Sequence, residues 1–529
     1  MAQPQSKLKD QTGFSVLEIL LAMAIAILTI SAVLLVSFGS QSLASDSQTN
    51  GEAQAKAQGL LETEQANGRQ DFNNVNALPQ PPLTYITDGI YQKKVDVVFP
   101  LDPITHVPDY SKKQVTATVS WTGDHNRAES SALSTLVTNP QAANSGGTCN
   151  SVMANPTGWK TPHYYAWDFG QLGVNGNNGN GFGVADVYVY NQRFYVAMNT
   201  TPNTDRDTFF VFDLPTDPSQ KPVFRGSVDN SASVSGSLSA TAVAGNYAFL
   251  ANGFGANFTT CTQSDHCAQL QVMDVTDPAN PSVAASYKIP GVTGTGGQAE
   301  GKSIFYSNGY IYLGLSKTNS GPEFDVIDVG GGGGLASPTN PIYKGGYAVG
   351  NAVNSIFVKG NYAYIATPNS ENMTVIDISN PANPTRVGGY TPAGGSNGES
   401  VTAVGSNVYL GRTFGTTEFY ILNAANPGAI SVAGSKDIGS GNQTSVNGMA
   451  VRDYLAFLIT PAQFQVWNIA NPASIQPWSS DGTTNSFLSL STVGGTGTAL
   501  YCSGDYFYLA VASSQGNTKD IISIITPGP

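Results

Sequence analysis

Charge is scarce in this 529-residue chain: Asp, Glu, Lys and Arg together make up 11% of it, about half the usual share. That shortage excludes a helix-rich cytosolic protein held soluble by dense surface ion pairs. Basic residues are the rarer sign, 24 against 36 acidic, for a net charge of −12. The chain therefore lacks the overall electrostatic footprint of a polyanion partner, and general nucleic-acid binding is excluded as a function class. Four cysteines and four histidines leave little material for a metal cluster, so neither a metal nor a cofactor is expected. What is abundant is turn chemistry, with 58 glycines and 30 prolines. The length has room for two to four domains, or for a small module joined to a large β architecture.

The N-terminus carries a polar stretch, residues 1–13 with Lys7, Lys9 and Asp10, and then an apolar run over 14–38. As a helix that run spans roughly 37 Å, enough to cross a hydrocarbon core of about 30 Å with some tilt. The lysines keep the short leader cytoplasmic and send the C-terminal mass outward. A secretory signal peptide shares this pattern, but the run is long for one, and residues 42–45 form only a weak cleavage site. Glu18 also lies inside the run, where an unpaired charge costs at least about 2.5 kcal/mol and marks function.

The string Gly13-Phe14-Ser15-Val16-Leu17-Glu18 resembles the processing motif of type IV pilins and pseudopilins. The resemblance implies cleavage by a prepilin peptidase between Gly13 and Phe14, N-methylation of Phe14, and a role for Glu18 in assembly with other pilin subunits. The physical logic is direct: the cut places an ammonium at the membrane, and a carboxylate on a neighbouring helix neutralises it. The same resemblance implies a membrane protein of the bacterial cell envelope, single-pass before assembly and at the pilus or cell surface afterwards.

Helix formers dominate 52–66, so one long helix is expected over 14–70, membrane-spanning over 14–38. Alternating patterns at 91–99, 114–121 and 131–138 predict a small antiparallel sheet within 71–140. Helix and sheet together resemble the α+β headgroup of minor pilins. Residues 141–158, with a Gly-Gly pair and small polar side chains, read as a linker.

From 159 to 529 the sequence repeats. The strings over 242–251 and 270–281 return at 356–366 and 374–384, and a recurring aromatic falls at Tyr195, Phe249, Tyr312, Tyr364, Tyr409, Phe457 and Tyr508. Intervals of 45 to 63 residues, each holding four short strands, predict a seven-bladed β-propeller. The fold class is thus mainly β, with a pilin-like α+β module before the propeller. The strand motifs and the Asp-Pro-Ala-Asn-Pro turn at 277–281, matched by Asn-Pro-Ala-Asn-Pro at 380–384, resemble LVIVD repeats, which carry no general catalytic activity. Asp274 and Asp377 are read as satisfying backbone donors in those turns rather than as binding calcium.

The last unit lacks a fourth strand of its own, and the segment 164–170 upstream of the first unit is expected to supply it. Cys149 and Cys502 then stand where a disulfide fastens the closure, and Cys261 and Cys267 close a seven-residue loop. An extracytoplasmic location permits both bridges. Zinc held by Cys261, Cys267 and His266 lacks an evident fourth ligand.

No catalytic residues emerge. His106, His125 and His163 pair with no serine or cysteine motif, and residues 330–334 are a glycine loop with no Lys-Ser or Lys-Thr pair after them. Glu300, Glu323, Glu399 and Glu418 sit at blade starts or loops, where they can face the channel but are read as solvated surface carboxylates. A propeller disc about 40–50 Å across cannot be crowded onto helices packed about 8–10 Å apart. The expected function is therefore a low-copy minor pilin that presents its propeller to a surface, glycan or protein ligand. The alternatives are a pseudopilin-like component of a secretion or DNA-uptake system that recognises cargo, and an anchored extracytoplasmic hydrolase.

Overall fold

A computed structural model describes residues 16–70, 75, 85–98, 100, 112–123, 126–138, 147–149, 153, 155–174, 183–199, 207–228, 238–253, 268–295, 297–331, 335–413, 415–439, 444–490, 495–513 and 521–529. The chain divides into two compact units, Met1–Asn139 and Pro140–Pro529.

In the first unit one helix runs unbroken from Val16 to Gln70, through Gly51 and Gly59. Its stretch Ile19–Ser37 is long and apolar enough to cross a membrane and buries nothing within the structure. Further along, small residues one turn apart, Ala53 and Ala57, followed by Leu61, are buried against Val95, Val115, Ala117 and Val119. The i, i+4 spacing puts these three on one helical face. The surface that receives them is a four-stranded antiparallel sheet of Ile86–Asp88, Tyr91–Val98, Lys112–Thr122 and Ala128–Thr138. At the helix, Asp88 accepts from Lys56 at 2.7 Å and from Lys93 at 2.9 Å. These two cations hold its carboxyl down at about 2.

The second unit is mainly β. Among the described residues it contains seven sheets, five of them four-stranded and antiparallel throughout. In most of them the first two strands join through a two-residue turn with positive φ at its first position, as at Gly245 (+59°), Gly360 (+57°) and Asn308 followed by Gly309 (+51° and +77°). Such turns match the right-handed twist of the flanking strands. The third strands are the buried apolar runs Phe209–Asp213, Leu270–Asp274, Phe324–Asp328, Met373–Asp377 and Phe419–Asn423. After them the turn residues act as read from the sequence. Asp274 accepts from the Thr276 N–H at 2.9 Å, Asp277 from Ala279 at 3.0 Å and Asp377 from Ser379 at 2.8 Å.

A glycine in the outermost strand seats the proline-rich turn of the next sheet. A Cβ on Gly226 would lie 2.6 Å from the Ala279 carbonyl oxygen, and one on Gly345 would lie 2.6 Å from that of Ala382. Gly388 and Gly434 repeat the arrangement against Pro427 and Pro472. Each seat coincides with a register shift in the ladder, where a bulge bends the strand.

Two sheets depart from the pattern. In the sixth, two short pieces, Gln476–Pro477 and Leu488–Ser489, both pair with Gln463–Asn468 in place of one outer strand. In the seventh, the outer strand is His163–Asp168, antiparallel to Ile521–Thr526, so the upstream segment does complete it. Within 141–158, read above as a linker, the described residues differ from that reading. Gly147–Cys149 forms a parallel strand on Gly495–Gly504, and Thr157–Lys160 is a 3-10 turn that buries Trp159 against Phe457 and Phe507. The free edge of a strand and the large apolar area of one tryptophan outweigh the linker-like composition.

A candidate ligand-binding cavity

Innermost strands carry the candidate site. Gly183–Tyr190, Leu238–Ala244, Gly301–Ser307, Ser355–Lys359, Gly398–Val404, Gly448–Arg452 and Gly495–Gly504 each approach the next, and the last approaches the first. They enclose a cavity of about 610 Å³, within the range of small-molecule sites. Apart from Cys502–Gly504, which Gly147–Cys149 covers, each of these strands has one unpaired edge, and its backbone groups need partners. Side chains in or just before a neighbouring strand supply some of them. Ser303 Oγ donates to the Val353 carbonyl at 2.8 Å, Ser400 Oγ to Val446 at 2.6 Å and Thr498 Oγ1 to Val184 at 2.8 Å. The Nδ2 groups of Asn354 and Asn447 donate to the carbonyls of Gly398 at 2.7 Å and Gly497 at 2.6 Å.

Aligning the strands on the closing pair of each hairpin exposes two departures. Four residues before that pair the column reads Asp186, Ala240, Ser303, Ser355, Ser400, Gly448 and Ala499, small except at Asp186. One position later it reads Val187, Thr241, Ile304, Ile356, Val401, Met449 and Leu500, apolar except at Thr241. The two exceptions meet, because the Thr241 N–H donates to Asp186 Oδ2 at 2.7 Å. Beside them the Tyr188 and Tyr501 rings lie 4.4 Å apart. Burial raises Asp186 to about 7 against the pull of the Thr241 and Val187 N–H groups.

The sign of that shift gives a prediction. A carboxyl whose native pKa exceeds its unfolded value keeps its proton more readily when folded, so stability falls as pH rises from about 4 to about 7 and is flat above. Asp186→Asn retains an acceptor for Thr241 without the charge. It is expected to match the parent near pH 4 and to exceed it by about 2–4 kcal/mol at pH 8, as read from urea unfolding at the two pH values. Equal curves at pH 8 would refute the buried-carboxylate account.

The glutamates read from sequence as solvated need correction. Glu300 and Glu399 line the cavity together with Lys302. Burial raises Glu300 to about 7 and raises Glu399, with the Lys302 charge opposing both. Glu323 and Glu418 are buried, 3% and 1% exposed, because loop N–H groups recruit them. Glu323 Oε2 accepts from Val349 and Gly350 at 2.9 Å each, and Glu418 Oε2 accepts from Ile438 at 3.2 Å. Gln269 does the same for Ile289 at 3.1 Å. All three precede a third strand, a recurrence visible in the repeat. Arg412 was missed altogether. It is 1% exposed and donates to Asn372 Oδ1 at 2.8 Å and to the carbonyls of Thr417 at 3.0 Å and Gly394 at 2.6 Å.

Cys149 and Cys502 are bonded, with Cα atoms 5.2 Å apart. Cys261, Cys267, His266, His106, His125, Gly13 and Phe14 lie outside the described residues. Glu18 lies within the long helix, and His163 stands in an exposed outer-strand position with its ring edge-on to Tyr165. Gly330 and Gly331 donate to Asp328 Oδ1 at 2.9 Å each, a turn contact and not a phosphate cradle. Among the described residues no three His, Cys, Asp or Glu side chains are placed to hold a metal ion.

A family model for the LVIVD repeat matches residues 350–392. No curated protein matches the chain. Among solved structures, a quinonprotein alcohol dehydrogenase-like protein of Bacteroides thetaiotaomicron is similar at 11% identity over 76% of this chain and 88% of that one, with a TM-score of 0.38. A Lactobacillus plantarum protein is similar at 10% identity over 75% and 98%, with a TM-score of 0.41. The periplasmic gluconolactonase of Pseudomonas aeruginosa is similar at 10% identity over 55% and 87%, also at 0.41. At such values the fold rests on the strand order itself, which is propeller-like.

Proposed function

We propose that this chain is a membrane-anchored, extracytoplasmic binding protein of minor type IV pilin type. In this reading its C-terminal unit is a seven-bladed propeller that presents the cavity to a ligand. The carrying observation is the helix Val16–Gln70, apolar and unburied over Ile19–Ser37 and then packed on an antiparallel sheet through Ala53, Ala57 and Leu61. A helix that is greasy at one end and built into a small domain at the other suits both a bilayer and a filament core. The disulfide between Cys149 and Cys502 supports an oxidising compartment. Binding is favoured over catalysis because, among the described residues, no histidine or cysteine lines the cavity beside its carboxylates.

Intact-mass and N-terminal peptide mass spectrometry of the purified product tests the anchor. A chain beginning at an N-methylated Phe14 is expected. An uncut start, or a cut beyond the apolar stretch, overturns the pilin reading. Immunogold labelling of sheared filaments tests placement, with label at tips expected and label confined to the envelope favouring a secretion pseudopilus.

A further inference from the structure

Two acceptor oxygens at the cavity have no partner. Glu300 Oε1 and Asn354 Oδ1 are shut from solvent and accept no hydrogen bond, and both residues line the cavity. The Thr241 hydroxyl, on a side chain only 3% exposed, is also unpartnered at the same cavity. Leaving such groups unsatisfied costs about 1–3 kcal/mol each, and folded proteins leave few of them. Glu399 adds a third acceptor, held at 3.2 Å by Asn354 Nδ2. What is missing at this wall is a donor.

Charge narrows the donor's class. Above about pH 7, where Asp186 and Glu300 lose their protons, these two and Glu399 line the cavity with Lys302 as the one cation among the described lining residues, so a cation is favoured over a neutral or anionic group. Without a metal-binding cluster among the described residues, an organic cation fits better than a bare ion. An ammonium brings three N–H donors and one positive charge, matching a wall of carboxylate and amide oxygens. Lys302 is the built-in competitor, since its charge acts on Glu300 and Glu399 alike.

We propose that the cavity wall formed by Glu300, Asn354 and Glu399 binds a protonated primary amine, presented either by a free diamine or by a lysine side chain. The assignment rests on the ligand-binding part of the proposed function and names its chemistry. Isothermal titration of the full chain in detergent tests it, with cadaverine and Nα-acetyl-lysine amide as the two amine probes and pentane-1,5-diol as the uncharged control. Binding of at least one amine is expected, with none of the diol. Preference for cadaverine assigns a free polyamine, and preference for the lysine amide assigns a peptide. Glu300→Gln and Glu399→Gln are each expected to weaken binding at least tenfold. Lys302→Met is expected to tighten it severalfold, a gain that a damaged fold cannot imitate. Absence of amine binding, equal binding of the diol, or a Lys302→Met variant that binds no tighter overturns the proposal. N-terminal processing and filament labelling are untouched by these substitutions, so the pilin reading stands or falls separately.

Discussion

Arg412→Ala is expected to lower the stability of the second unit by about 3–5 kcal/mol, since it leaves several buried acceptors unpaired at about 1–3 kcal/mol each. The guanidinium is 1% exposed, and no carboxylate forms an ion pair with it among the described residues. It is held by neutral acceptors: Asn372 Oδ1, the carbonyls of Thr417 and Gly394, and the Tyr420 hydroxyl at 3.3 Å. Its carbon lies 5.5 Å from the Tyr420 ring centroid, so the ring face adds attraction. Removing the side chain strands several carbonyls at once and leaves a void. Arg412→Met separates the two effects, because it fills the volume without the donors. A similar loss in both variants, measured by urea unfolding followed through tryptophan fluorescence, assigns the cost to hydrogen bonding. A change below about 1 kcal/mol in either variant would contradict the network account.

The second large effect concerns Cys149 and Cys502, which are 353 residues apart in sequence. In the chain-entropy picture a cross-link restrains the unfolded ensemble more as the enclosed loop lengthens, reaching about 5 kcal/mol for loops beyond 100 residues. The double variant Cys149→Ser with Cys502→Ser is expected to lose about 3–5 kcal/mol. Reductant is expected to reproduce that loss in the parent chain. Any further effect of reductant on the double variant belongs to Cys261 and Cys267. A parent chain indifferent to reductant would show that the outer strand and the buried Trp159 suffice for closure.

Much of this architecture was legible because a repeat shows its own template. Buried third strands and turn carboxylates are local, and their residue types follow from pleat and turn geometry alone. Less legible was whatever one sheet does for another. Gly388 looks like an ordinary strand glycine until Pro427 is set against it. Glu323 and Glu418 looked like surface acids because the N–H donors to their Oε2 atoms sit 20 or more residues away. Asp186 and Thr241 gave a usable signal that went unread, since aligning the hairpins shows each breaking its column. For Gly147–Cys149 the cysteine pair pointed to the right neighbour, but not to a strand, as its pairing is set by a partner more than 350 residues downstream.

That pairing has a consequence for biogenesis. His163–Asp168 waits for Ile521–Thr526, and Gly528 exchanges hydrogen bonds with Gly158 at 2.9 Å and Asn155 at 3.0 Å. In synthesis from the N-terminus the strand His163–Asp168 therefore keeps an open, sticky margin until Ile521–Thr526 has been made. Truncation ahead of Ile521 is expected to leave that edge as open as a truncation far upstream does. An epitope tag that displaces Gly528 would cost the bonds by which it latches onto Gly158 and Asn155.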